Sequence, residues 1–92
     1  MNKKILNKIL FEFNSLNFQN AYDLAININK NDYDIVILKI LTISSFKIQK
    51  YTDAIKFGMI LLKLKNINDD IEVLNIIGTS YSITQDYDNG NK

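Results

Sequence analysis

Tyr33-Asp34-Ile35-Val36-Ile37-Leu38-Lys39-Ile40-Leu41-Thr42-Ile43-Ser44-Ser45-Phe46 is the stretch on which the fold turns. Its β-branched residues suit a buried strand. The run is too long for a typical strand, however, and apolar and polar residues do not alternate along it. It reads as a helix over Tyr33–Phe46, apolar on almost every side. A helix of that kind has neighbours on most of its faces.

The flanking sequence supplies those neighbours. Ile5, Leu6, Ile9, Leu10, Phe13 and Leu16 recur at helical spacing, with Lys4, Lys8 and Glu12 opposite, which predicts a helix over Lys3–Leu16 capped by Asn2. Phe18, Ala21, Tyr22, Leu24, Ala25 and Ile28 predict a second over Phe18–Ile28. Asn29-Lys30-Asn31-Asp32 is a turn cluster ending in a capping residue. Beyond Lys47-Ile48-Gln49-Lys50, a fourth helix is expected over Tyr51–Leu64, with Ala54, Ile55, Phe57, Gly58, Leu61 and Leu62 inward. A break at 65–69, with Asp69 or Asp70 as cap, leads to a fifth helix over Ile71–Ile83. Leu74, Ile77, Gly78 and Tyr81 form one stripe of it, and residues 86–92 read as a frayed polar tail. The fold class is therefore all-α, with about five helices.

Composition narrows the function. The 92 residues make one domain, and 47% apolar with 23% charged residues is ordinary for a folded chain. The net charge is +1 and there is no Arg, whereas a nucleic-acid binder carries a basic excess and favours Arg. Without Cys or His there is no thiolate nucleophile, no disulfide, no Cys/His zinc site and no imidazole base. The basic start is broken by Asn7, Lys8 and Glu12 and lacks a signal-cleavage site. No segment approaches the roughly 20 apolar residues a bilayer requires. A cytoplasmic protein with no cofactor is the expectation.

A repeat underlies the helices. An aromatic stands three positions before a small residue at Phe18/Ala21, Tyr51/Ala54 and Tyr87/Gly90, giving offsets of 33 residues from 18 to 51 and 36 from 51 to 87. A helix pair of this length resembles a tetratricopeptide repeat. Leu38, Leu41, Tyr51, Ala54 and Leu61 match the second unit, and Leu74, Ile77, Gly78 and Tyr81 follow the family's Leu-x-x-Leu-Gly-x-x-Tyr signature in the third. Ile9 and Thr42 stand where the family prefers Gly, and the closing Pro of each repeat is missing. The resemblance implies a stack of antiparallel helix pairs over residues 1–92, in units 2–34, 35–70 and an incomplete 71–92. It also implies that small residues such as Gly78 let neighbouring helices approach closely. An incomplete third unit fits either a piece of a longer array, which is the expectation, or a capping helix over Ile71–Ile83 whose outer side carries Asp70, Glu72, Asn75 and Thr79. The competing architecture is a helical bundle without a stack.

No constellation favours catalysis. Ser44, Ser45, Ser80 and Ser82 have no base or phosphate loop around them. Asp86, Asp88 and Gly90 approximate the start of a calcium loop, but the spacing is wrong, and a polar tail accounts for them. Asp69, Asp70 and Glu72 at a helix start suit the helix dipole better than a metal.

Family members hold ligands along the face made by the first helix of each pair, some gripping a peptide carboxylate with Lys and Asn. Lys3 and Asn7 would begin such a clamp here. Val36 and Ile40, then Glu72 and Ile76, break it in the next two units, leaving an anion unpaired. What this face offers instead is apolar area at Val36, Lys39, Ile40 and Ile43, flanked by Asn75 and Thr79. The expected function is a non-catalytic scaffold taking a protein or peptide partner, an amphipathic helix or extended segment, in that groove. Ile40→Asp or Ile43→Asp is expected to abolish capture and spare the helices. The alternatives are a self-assembling structural protein, joined through exposed ends of the stack, and a small helical chaperone-like protein.

Overall fold

The computed structural model describes residues 3–65 and 70–90. Among them the chain forms α1 (Lys3–Asn14), α2 (Phe18–Ile26), a 3₁₀ turn (Lys30–Asp32), α3 (Ile35–Lys47), α4 (Tyr51–Lys65) and α5 (Ile71–Gly90), with no strand. The protein is all-α.

The 33–46 stretch is helical, and its chemistry shows why. Asp34 has extended backbone, and its carboxylate accepts the Ile37 amide at 2.9 Å, so α3 starts at Ile35 rather than Tyr33. The Thr42 and Ser45 hydroxyls donate back to the Leu38 and Leu41 carbonyls, which lets two polar side chains sit fully buried. α3 packs against α2, α4 and α5 at once, so an all-round apolar helix is what its position demands. Ile37, Leu38, Ile40 and Leu41 join Ile9, Ala21, Ala25, Phe57, Leu61 and Val73 in the main core.

The first two helix pairs repeat one another in detail. Asn17 N–H donates to Glu12 O and Leu16 N–H to Phe13 O; Lys50 N–H donates to Ser45 O and Gln49 N–H to Phe46 O. Each is the paired bond set of a Schellman turn, with Leu16 (φ 65°) and Gln49 (φ 68°) in the left-handed region. The two turns stand 33 residues apart. So do the edge-to-face ring pairs Phe13–Phe18 and Phe46–Tyr51, at 5.8 and 5.9 Å between centroids. Ala21 and Ala54 are fully buried at matching positions behind them.

α5 departs from this pattern. It runs 20 residues, through the point where Tyr87 was expected to mark another turn, so the backbone at 84–90 is helix rather than turn or tail. No Gly or Pro interrupts 79–89, and the Thr84 hydroxyl donates to the Ser80 and Tyr81 carbonyls inside the helix. At α1 and α3 a following apolar helix draws the chain back; among the described residues none follows α5. Its inward stripe is Val73, Ile76, Ile77 and Ser80, while Leu74, Gly78 and Tyr81 face outward, a rotation from the expected register. Gly58 is the glycine at a close approach: a Cβ there would lie 2.8 Å from Ile77 Cγ1, whereas one on Gly78 meets nothing within 4 Å. Smaller corrections are that α1 ends at Asn14 and α2 at Ile26. The cap expected from Asn2 and the alternative cap Asp69 lie outside the described residues. No described helix is long and apolar enough to cross a membrane.

Candidate binding groove

α1 and α3 are the first helices of successive pairs, and between them runs an open groove of about 810 Å³. Its α3 wall extends from Ile35 to Lys47, the whole helix. Leu10 and Phe13 of α1, Leu16 of the turn and Phe18 of α2 make the opposite wall, and Glu72 closes one end. Three of the apolar residues are strongly exposed: Leu16 (71%), Ile35 (44%) and Val36 (47%). Ile40 and Ile43, at 3% and 9%, are its floor.

Local rules put these residues there. The left-handed turn ends α1 and throws Leu16 outward, and the Asp34 cap fixes where α3 begins, leaving Ile35 and Val36 in its uncovered first turn. Lys39 is held at the rim by Asp70 at 3.4 Å and Glu72 at 3.8 Å, which ties α3 to the start of α5. Asp70 also accepts the Val73 amide at 3.2 Å and so caps α5. Lys47 lies over the Phe18 ring, 5.9 Å from its centroid, at the far end. The groove thus has an apolar floor, an ion pair of Lys39 with Glu72 at one end and Lys47 at the other.

Of the residues singled out from the sequence, Val36, Lys39, Ile40 and Ile43 lie side by side along this hollow. Lys3, Asn7, Asn75 and Thr79 are exposed but do not line it. Ile40 and Ile43 belong to the packed core clusters, so Ile40→Asp or Ile43→Asp would bury a charge and unfold the chain instead of cleanly removing a binding surface. The apolar lining not picked out from sequence is Leu10, Phe13, Leu16, Phe18 and Ile35, and the polar lining is Asn14, Lys47 and Glu72. The signal available for it was the Phe13–Phe18 spacing around the first turn.

No family model, curated protein or solved structure matches this chain. The groove therefore has to be interpreted from its own chemistry. Among the described residues no group of three or more His, Cys, Asp or Glu is placed to hold a metal ion.

A second apolar hollow of about 700 Å³ lies on another face, lined by Ile26, Tyr33, Leu38, Phe57, Ile60 and Leu64 with Lys30 and Lys56. Tyr33 crosses it, donating its hydroxyl to Ile26 O at 3.2 Å and setting its ring edge-on to Phe57. Burial pushes the Tyr33 hydroxyl pKa above its ordinary value.

Proposed function

We propose that this chain is a non-catalytic protein-binding module, built from degenerate helix-pair repeats of the tetratricopeptide kind and acting in the cytoplasm. Its partner is an amphipathic helix laid along the α1–α3 groove. One observation carries this reading: an apolar groove as long as α3, with Leu16, Ile35 and Val36 left open to solvent beside a buried isoleucine floor. Exposed apolar area in one continuous channel is characteristic of binding surfaces. A groove walled by two helices suits a third helix, anchored at i, i+3, i+4 and i+7. The 33-residue spacing of the two turns and the two ring pairs supports the repeat. Lys47, at the end away from the Lys39–Glu72 ion pair, favours an acidic residue at that end of the bound helix.

A displayed library of helical peptides with apolar residues at i, i+3, i+4 and i+7 tests the reading. Selected peptides should carry Asp or Glu at the end beside Lys47 and should shift the amide resonances of residues 10–18 and 35–47. Val36→Asp changes an exposed wall residue and should weaken binding by more than about tenfold without changing the circular dichroism. Selected peptides whose shifts map away from these segments would sink the proposal.

A further inference from the structure

The hollow of about 700 Å³ beside Tyr33 is built differently from the groove. α2 contributes Ile26, the 3₁₀ turn Lys30, α3 Leu38, and α4 Lys56, Phe57 and Ile60. Leu38 and Phe57, at 1% and 3% exposed, are its floor, and Ile60, at 40%, stands at its rim. Tyr33 is held from both sides, by its hydrogen bond to Ile26 O and its edge-on contact with Phe57, so the hollow is formed in advance. A concavity walled by several segments, within the range of about 300–1,000 Å³, has the dimensions of a small-molecule site.

The charge at this hollow has one sign. Lys30 and Lys56 line it, and among the described residues no Asp or Glu does. Neither ammonium forms an ion pair with a described carboxylate. Asp53, one turn before Lys56 on α4, takes the Tyr22 hydroxyl, and Asp32 of the 3₁₀ turn stands outside the lining. In the groove, by contrast, Lys39 is already held by Asp70 and Glu72. Lys56 lies over the Phe57 ring, 5.6 Å from its centroid, which sets its charge where the apolar floor meets water.

We infer that this hollow binds a small amphipathic anion, an unbranched alkyl carboxylate whose chain lies on Leu38 and Phe57 and whose head is met by Lys30 and Lys56. The floor alone would take any apolar body. Two ammonium groups beside it without acidic partners select a negative head. The site shares no lining residue with the α1–α3 groove, so it stands or falls separately from peptide capture.

Titration of the full chain with sodium decanoate, below its micelle-forming concentration, tests this by amide NMR and calorimetry. Decanoate should bind one-to-one and shift residues 26–33 and 56–64. It should bind roughly tenfold tighter than octanoate, since each fully buried methylene contributes about fourfold. Decanol, the same chain without the charge, should bind at least about fivefold more weakly than decanoate. Lys30→Glu and Lys56→Glu change exposed positions, and circular dichroism checks that each is folded. Each should weaken decanoate by at least about fivefold and leave decanol unchanged. Phosphatidylglycerol vesicles present anionic heads on a bilayer and should leave the protein in the supernatant. The inference is overturned by the absence of a saturable decanoate response, by shifts centred on the α1–α3 groove, or by decanol binding as tightly as decanoate. Folded charge-reversal variants that bind decanoate like the wild type would also overturn it. Pelleting with the vesicles in place of a decanoate response would assign the lysines to a membrane surface instead.

Discussion

The Tyr22 hydroxyl donates to the Asp53 carboxylate at 2.7 Å, joining α2 of the first helix pair to α4 of the second. Lys50 lies over the same ring, 5.4 Å from its centroid. Burial first, and the Asp53 hydrogen bond and charge next, push the Tyr22 pKa from 10.0 up to about 12. The folded chain thus holds a proton that the unfolded chain releases earlier. The stabilisation is complete below pH 10 and is lost as pH rises towards about 12. Urea midpoints measured across that window should fall for the wild type. Tyr22→Phe should flatten the slope, leaving the smaller part due to Tyr33, and should cost about 1 kcal/mol at neutral pH. An unchanged slope in Tyr22→Phe would show that the hydroxyl is not held as described.

Leu16 and Gln49 occupy left-handed backbone at equivalent turns, which costs a residue with a Cβ roughly 1 kcal/mol. Glycine adopts that conformation without the penalty, so Leu16→Gly and Gln49→Gly should each raise stability in chemical denaturation by up to about 1 kcal/mol. Gln49 gives the cleaner measurement, because Leu16 also lines the groove. Leu16→Gly should therefore stabilise the fold while weakening capture of a helical peptide.

Two glycines in helices should respond in opposite directions to the same substitution. Gly78→Ala places its methyl in open space and gains helix propensity, for about 1 kcal/mol of added stability. Gly58→Ala gains the same propensity but drives a methyl to 2.8 Å from Ile77 Cγ1 and 3.4 Å from Thr42 Cγ2. Overpacking of that kind costs about 1–3 kcal/mol. Melting temperatures should order Gly78→Ala above wild type and wild type above Gly58→Ala. A stabilising Gly58→Ala would mean that α5 does not press on α4 there.

These contrasts show what the sequence could and could not reveal. The helical reading of Ile35–Ile43 followed from its length and its lack of alternation, and its three packed neighbours explain the composition. The first repeat offset was legible because Phe18 and Tyr51 do the same physical job, each closing on a ring from the preceding helix. The span of α5 was not legible. Leu16 and Gln49 turn the chain without Gly or Pro, so at 84–90 the absence of a stop residue carried little information. The register of α5 failed for a related reason: Leu74, Gly78 and Tyr81 match a pattern that presumes a following helix, whereas Val73 and Ser80 face the helices that are there. In the groove, periodicity placed Val36, Lys39, Ile40 and Ile43 on one side of α3. It could not separate the floor at Ile40, 3% exposed, from the wall at Val36, 47% exposed, because both share one face of the helix.

Ser44 and Ser80 expose a different consequence of close packing. Both side chains are fully buried, and their hydroxyls have no hydrogen-bond partner among the described residues. Ser45, one position from Ser44, donates to the Leu41 carbonyl. A buried hydroxyl without a partner loses its hydration with nothing in return, at about 1–3 kcal/mol. Alanine removes that loss, leaves only a small void and is the better helix former. Ser44→Ala and Ser80→Ala should thus each stabilise the chain by about 1 kcal/mol in urea denaturation. Ser45→Ala, which gives up a formed hydrogen bond, should gain less or lose stability. Equal responses at Ser44 and Ser45 would show that the Ser44 hydroxyl is as well satisfied as its neighbour, and that α3 tolerates polar groups on that side without penalty.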